Sequence, residues 1–238
     1  MDAENHRQAR DSRNLAILLL LVACAALVAL YWNARYAGRL LDGDAVRLLL
    51  PAEGMLLEGQ LETTNSAYYS GFGYPAIVAF LSILTGLSVS GLQLYAVFWL
   101  AVVPLIAFVA FRALLREWPA ALLATFLLLL QPDFLFYLLR GSHERVTWFL
   151  ALLLLYLLSR SLSPAIGVWQ RSVYIVLFYG AFWSMVATNA FFGASFLLPI
   201  AVSLGLGWVL DGVVNLVRRQ RLLRAQDLRR VLLITAAG

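Results

Sequence analysis

Long apolar runs, separated by short breaks that carry the charge, recur along this chain. Runs such as Ile17-Leu18-Leu19-Leu20-Leu21 and Leu152-Leu153-Leu154-Leu155 do not alternate apolar with polar residues, as strands of a membrane barrel do over about ten positions. In lipid a backbone must satisfy its polar groups within the segment, so such runs predict helices. Spans are predicted at Leu15–Trp32, Leu92–Phe111, Ala120 to about Tyr137, Val146–Leu158, Val173–Thr188 and Phe191–Leu210. The expected fold is all-α, a polytopic transmembrane helical bundle. Tyr74–Leu87 is apolar and opens on Pro75, a good first-turn residue. A helix there is only about 21 Å long, against a hydrocarbon core of about 30 Å.

The arginines decide which way the chain is threaded. If Tyr74–Leu87 lies along the membrane, 13 of the 18 arginines fall on the side of the N-terminus. If it spans, every later loop changes sides and the bias reverses. Cytoplasmic loops carry the excess of positive charge, so Tyr74–Leu87 is expected to be a juxtamembrane or re-entrant helix. This arrangement puts residues 1–14 in the cytoplasm and the membrane module at 15–210. An outer loop with juxtamembrane helices follows the first span at 33–91. Within it, Leu40, Leu41, Ala45, Leu48 and Leu49 recur at near-helical spacing until Pro51 interrupts the run. Tyr68, Tyr69, Phe72 and Tyr74 suit the headgroup zone. Residues 211–230 mix apolar positions with six arginines, as a cytoplasmic interfacial helix on anionic lipid does. Residues 231–238 resume an apolar pattern and are read as the start of a further span.

Composition agrees: 62% of the 238 residues are hydrophobic and 13% charged, whereas soluble domains carry about a quarter charged residues. The net charge of +5 comes from arginine alone, since the chain has no lysine. No soluble stretch is long enough to build a nucleic-acid-binding domain, so the basic balance is assigned to cytoplasmic loops. The single cysteine follows Leu21-Val22-Ala23, a sequence like a lipoprotein cleavage site. The apolar core nevertheless continues through Leu30 to a membrane-crossing length of about 18 residues, and Cys24 is read as a packing or lipid-facing residue. The expected location is the plasma (inner) membrane, with the N-terminus cytoplasmic and membrane lipids as neighbours.

Two ionisable clusters share the outer face. Asp42-Gly43-Asp44 follows the first span, and two carboxylates so spaced can hold a divalent cation or supply a base. The same spacing serves ordinary turn and helix-cap duty. Arg140-Gly141-Ser142-His143-Glu144-Arg145 gathers two cations, a histidine and a carboxylate between apolar helices. Its groups suit metal ligation, proton transfer or phosphate binding; a solvated turn with a local Glu144–arginine pair is the alternative. Pro132 is expected to kink a helix end, and Asp133 to sit near membrane depth. The remaining outer turn, Thr188-Asn189-Ala190, is tight and uncharged.

The pattern resembles the GT-C superfamily of polyprenyl-phosphate-sugar-dependent glycosyltransferases, whole or as an N-terminal portion. The resemblance runs from about Leu15 to Leu210 and rests on Leu41-Asp42-Gly43-Asp44-Ala45 through Leu57-Glu58-Gly59, then Tyr69-Ser70-Gly71-Phe72-Gly73-Tyr74-Pro75. Gln131-Pro132-Asp133 and the stretch Arg140 to Arg145 are similar to the family's acidic, histidine-containing second outer loop. It implies Asp44, with Asp42 second, as the catalytic carboxylate. It also implies Arg140 and Arg145 against the donor phosphate, and His143 and Glu144, with Asp44, as ligands of a divalent cation (Mg or Mn). The implied donor is a lipid-linked sugar, transferred with inversion on the extracytoplasmic face. A non-catalytic scaffold or assembly subunit is the second reading. A transporter ranks below it, because only Asp133 falls near the depth where transporters bind their substrates.

Overall fold

The computed structural model describes residues 2–36, 43–59, 71–96, 98–140 and 142–217, and every regular element among them is an α-helix. In chain order these are α1 (Asp2–Tyr36), α2 (Gly43–Glu58), α3 (Gly73–Thr85), α4 (Val89–Ala96), α5 (Trp99–Leu115), α6 (Trp118–Leu130), α7 (Pro132–Leu139), α8 (Glu144–Ser161), α9 (Val168–Thr188) and α10 (Ala190–Val217). By length and composition, Asp11–Tyr36 and Ala190–Asp211 can each cross a membrane, and the bent pair α6–α7 makes a third if it is one broken span. The other expected spans are less clear-cut. α5 has 17 residues, and α8 keeps Glu144, Arg145 and Arg160 near its ends.

Several expected boundaries move. Leu92–Phe111 is not one helix, since α4 ends at Ala96 and α5 begins at Trp99. The span expected from Ala120 to Tyr137 turns by 69° between α6 and α7. The cause is Pro132: a residue before proline is driven out of the α region, and Gln131 adopts φ −73°, ψ 117°. Pro51, expected to interrupt its run, lies inside α2 and is buried. α10 continues without a break past Asp211 to Val217. The rest of the basic segment, 218–230, and the apolar residues 231–238 lie outside the described residues.

On α1, most large apolar side chains face outward while small ones line the seam with α5. Leu19 and Leu20 are 55% and 62% exposed, whereas Ala25 and Ala29 are buried against Leu100, Val103 and Ala107 of α5. Ala25 and Ala29 stand one turn apart, the small-residue spacing that lets helices approach where lipid removes the hydrophobic drive to associate. Nearer the α1 N-terminus, Leu18 meets Phe108, Ala121 and Leu122, so α1 and α5 run antiparallel. α8 and α9 pack through Ala151, Leu154, Phe178, Ala181 and Met185.

These contacts define two ends. One holds the α5–α6 turn, the C-terminus of α8 and the N-terminus of α9. The other holds the N-terminus of α8, the α9–α10 turn and α7. The α3 N-terminus belongs to this second end, because Gly71 and Gly73 lie against the backbone of Ala187 and Thr188. α5 starts there too, with Trp99 edge-on to Phe149 at 5.5 Å. α3 and α4 therefore leave and return at one end. Gly86, in the left-handed region at φ 70°, closes α3 and lets the chain reverse. Together with α2 these helices form a small layer in which Leu48, Leu49 and Ala52 pack on Tyr74, Val78 and Val89, with Val146 of α8 beneath.

Candidate functional site

Where the α2–α4 layer meets the bundle, a polar cluster is buried among apolar helices. Ser142, His143, Glu144, Arg145, Thr147 and Asn189 are each no more than 7% exposed. Groups of this kind are buried only when other polar groups satisfy them, and here the partners can be traced.

Asn189 organises the centre. As N-cap of α10, its Oδ1 accepts the backbone N–H of Phe192 at 2.9 Å. That bond fixes the amide orientation, so Nδ2 donates to His143 Nε2 at 2.5 Å. His143 is then the tautomer protonated at Nδ1, which faces Glu144 Oε2 at 3.7 Å. The Ser142 hydroxyl donates to the same carboxylate oxygen. The ring of Tyr74, carried by α3, stands edge-on to His143 with centroids 6.4 Å apart. Beside the cluster Trp148 packs edge-on against Phe134 and Phe192, with centroids at 5.0 and 5.4 Å.

Arg145 is 5% exposed and turned back on the preceding helix. Its Nε donates to Leu138 O at 2.7 Å and its Nη2 to Leu139 O at 2.8 Å. The last carbonyls of a helix lack intrahelical donors, and the guanidinium fork supplies two. Arg140 is different: half-buried, it lies over the rings of Phe136 and Tyr137 at 5.5 and 5.9 Å. Of the two arginines proposed for phosphate, Arg145 is thus engaged with the α7 carbonyls, and Arg140 is the one nearer the surface.

Asp44 stands in the first turn of α2. Its side chain lies outside the described residues, as does the whole of Asp42. Asp133, in the first turn of α7, is exposed at the bend. No group of three His, Cys, Asp or Glu side chains able to hold a metal occurs among the described residues. His143 and Glu144 contribute two donors, and the Nε2 lone pair is already taken by Asn189. The described donors do not by themselves fit a divalent cation.

The pattern of the sequence singled out the 140–145 stretch but assigned no part in the site to Asn189 or Tyr74. An asparagine between two apolar runs was the available signal, because it reads as an N-cap. Tyr74 gave none, since an aromatic there suits the headgroup zone equally well.

Compared with known proteins, the chain matches no family model, and no curated protein or solved structure is significantly similar to it.

Proposed function

We propose that the chain crosses the membrane six times with its N-terminus in the cytoplasm, and works as a glycosyltransferase on the extracytoplasmic face. Its donor is a sugar on a polyprenyl phosphate. One observation carries the reading: the α2–α4 layer, the 140–145 stretch and the Asn189 turn, far apart in sequence, come together at one end of the helices. An even number of crossings between any two of them is what arginine bias requires. It is also what a single outer site using a membrane-held donor needs.

In this reading Asp44, on the first turn of α2, is the base, with Asp42 as the second candidate. It takes the proton from an acceptor hydroxyl, the hydroxyl oxygen attacks the anomeric carbon, and the bond to the phosphate oxygen breaks with inversion. Polyprenyl phosphate leaves carrying the electron pair. Arg140 offsets its charge, as an arginine fork suits phosphate. Arg145, Asn189 and Ser142 position the loop, and His143 and Glu144 keep its polar interior satisfied. No step is routed through a metal.

The non-catalytic reading has its own support: His143, Glu144 and Arg145 are engaged in internal bonds, as in a structural core. Asp44→Asn separates the two. In cells dependent on this chain, the transferase reading expects loss of a cell-surface glycan by about 10²-fold or more, at normal protein abundance. Intact glycosylation in Asp44→Asn and in Asp42→Asn removes it and leaves the scaffold.

A further inference from the structure

At the end opposite the polar cluster, a cleft of about 700 Å³ opens between the α5–α6 turn and the C-terminus of α8. Three arginines line it: Arg112 in the last turn of α5, Arg116 in the turn that follows, and Arg160 in the last turn of α8. Ser159 and Ser163 add hydroxyls, and among the described residues the lining contains no aspartate or glutamate.

The arrangement is built rather than incidental. Arg116 holds a left-handed conformation at φ 61°, unusual for a residue with a side chain, and closes α5 there through its N–H to Arg112 O. Arg160 lies over the ring of Tyr174 at 5.6 Å, and its buried Nε has no hydrogen-bond partner among the described residues. The far wall is pinned by Arg171, whose Nε and Nη2 donate to Ser161 O and Ser163 O at 3.2 and 3.3 Å. Three guanidinium groups around one cleft raise its positive potential, and arginine forks match phosphate oxygens.

The cleft does not end in water on every side. Val102, Leu105 and Val109 are 44%, 41% and 44% exposed, at the spacing of one face of α5, and they lead along that helix to Arg112. A phosphate group in the cleft thus has an apolar track beside it of the kind an acyl chain occupies. We propose that this cleft binds the phosphate headgroup of an anionic membrane lipid, with an acyl chain along the Val102–Leu105–Val109 track. The site is separate from the glycosyl-transfer reading and stands or falls without it. Basic pockets between helices at a membrane surface hold headgroups in this way.

The test is native mass spectrometry of the full chain in detergent, titrated with phosphatidylglycerol, with phosphatidylcholine of the same acyl chains, and with pyrophosphate. One phosphatidylglycerol is expected to remain bound at least about ten-fold more tightly than phosphatidylcholine. Each of Arg112→Gln, Arg116→Gln and Arg160→Gln is expected to weaken it about five-fold, the effect of one arginine near an anionic surface. Ser163→Glu, which removes no arginine, is expected to do the same by placing a carboxylate in the cleft. It serves as the readout if an arginine variant fails to fold. Equal retention of phosphatidylcholine, or unchanged binding in Arg112→Gln and Ser163→Glu, overturns the proposal. Pyrophosphate binding as tightly as the lipid overturns it in favour of a soluble phosphate compound.

Discussion

Arg145 illustrates how one side chain can hold two elements together. Its fork satisfies Leu138 O and Leu139 O, so α7 can end inside the protein without stranded carbonyls. Arg145→Met keeps the stem but leaves both acceptors unpaired, at about 1–3 kcal/mol each. Unfolding in detergent should show the variant destabilised by about 2–5 kcal/mol. Unchanged stability would mean that Arg145 does not act through the α7 carbonyls. Asn189 joins the same network by two bonds, one to His143 and one as the α10 cap. Asn189→Ala is expected to cost about 1–2 kcal/mol or more in the same assay, while Asn189→Asp keeps the cap but loses the donor to His143. At this scale the sequence exposed the cluster, because five polar residues and a glycine between two apolar runs are conspicuous. It did not assign roles. Arg140 and Arg145 look alike until the end of α7 places two carbonyls beside one of them.

Among the helices, breaks were harder to read than runs. Pro132 bends α6 into α7 by fixing Gln131 outside the helical region, yet Pro51, Pro104 and Pro199 stay inside α2, α5 and α10. Proline removes a donor and restricts the residue before it, but surrounding packing decides whether the helix yields. The gap between α4 and α5 carried no proline or glycine to mark it, so Leu92–Phe111 read as one span. The docking of α3 was equally hidden, though its glycines are explicable. A Cβ on Gly73 would stand 2.9 Å from the carbonyl carbon and oxygen of Ala187, so α3 approaches the α9–α10 turn only with glycine there. Gly73→Val is expected to separate the two. Hydrogen exchange of the α3 backbone amides in detergent should accelerate several-fold relative to wild type, while Gly86→Asn, which tolerates the left-handed cap, should be neutral. Unchanged exchange in Gly73→Val would show that this contact does not hold the α2–α4 layer in place.

For the whole molecule, the proposed threading rests on charge placement rather than on hydropathy. Apolar runs alone left Tyr74–Leu87 undecided, because 14 residues are too few to span and too apolar to dismiss. In the proposed topology the arginine bias returns the segment to the side it left; the N-termini of α3 and α5 lie at the same end of the structure. The proposed site therefore rests on sidedness, which cysteine accessibility in intact cells measures directly. In a Cys24→Ser background, single cysteines at Gly43, Arg140, Gln170 and Gln220 are labelled with a membrane-impermeant thiol reagent. Labelling of Gly43→Cys and Arg140→Cys, with Gln170→Cys and Gln220→Cys protected until the membrane is opened, is the predicted result. Labelling of Gly43→Cys and Gln170→Cys with Arg140→Cys protected would put the α2 layer and the 140–145 stretch on opposite sides, and no single outer site could use both.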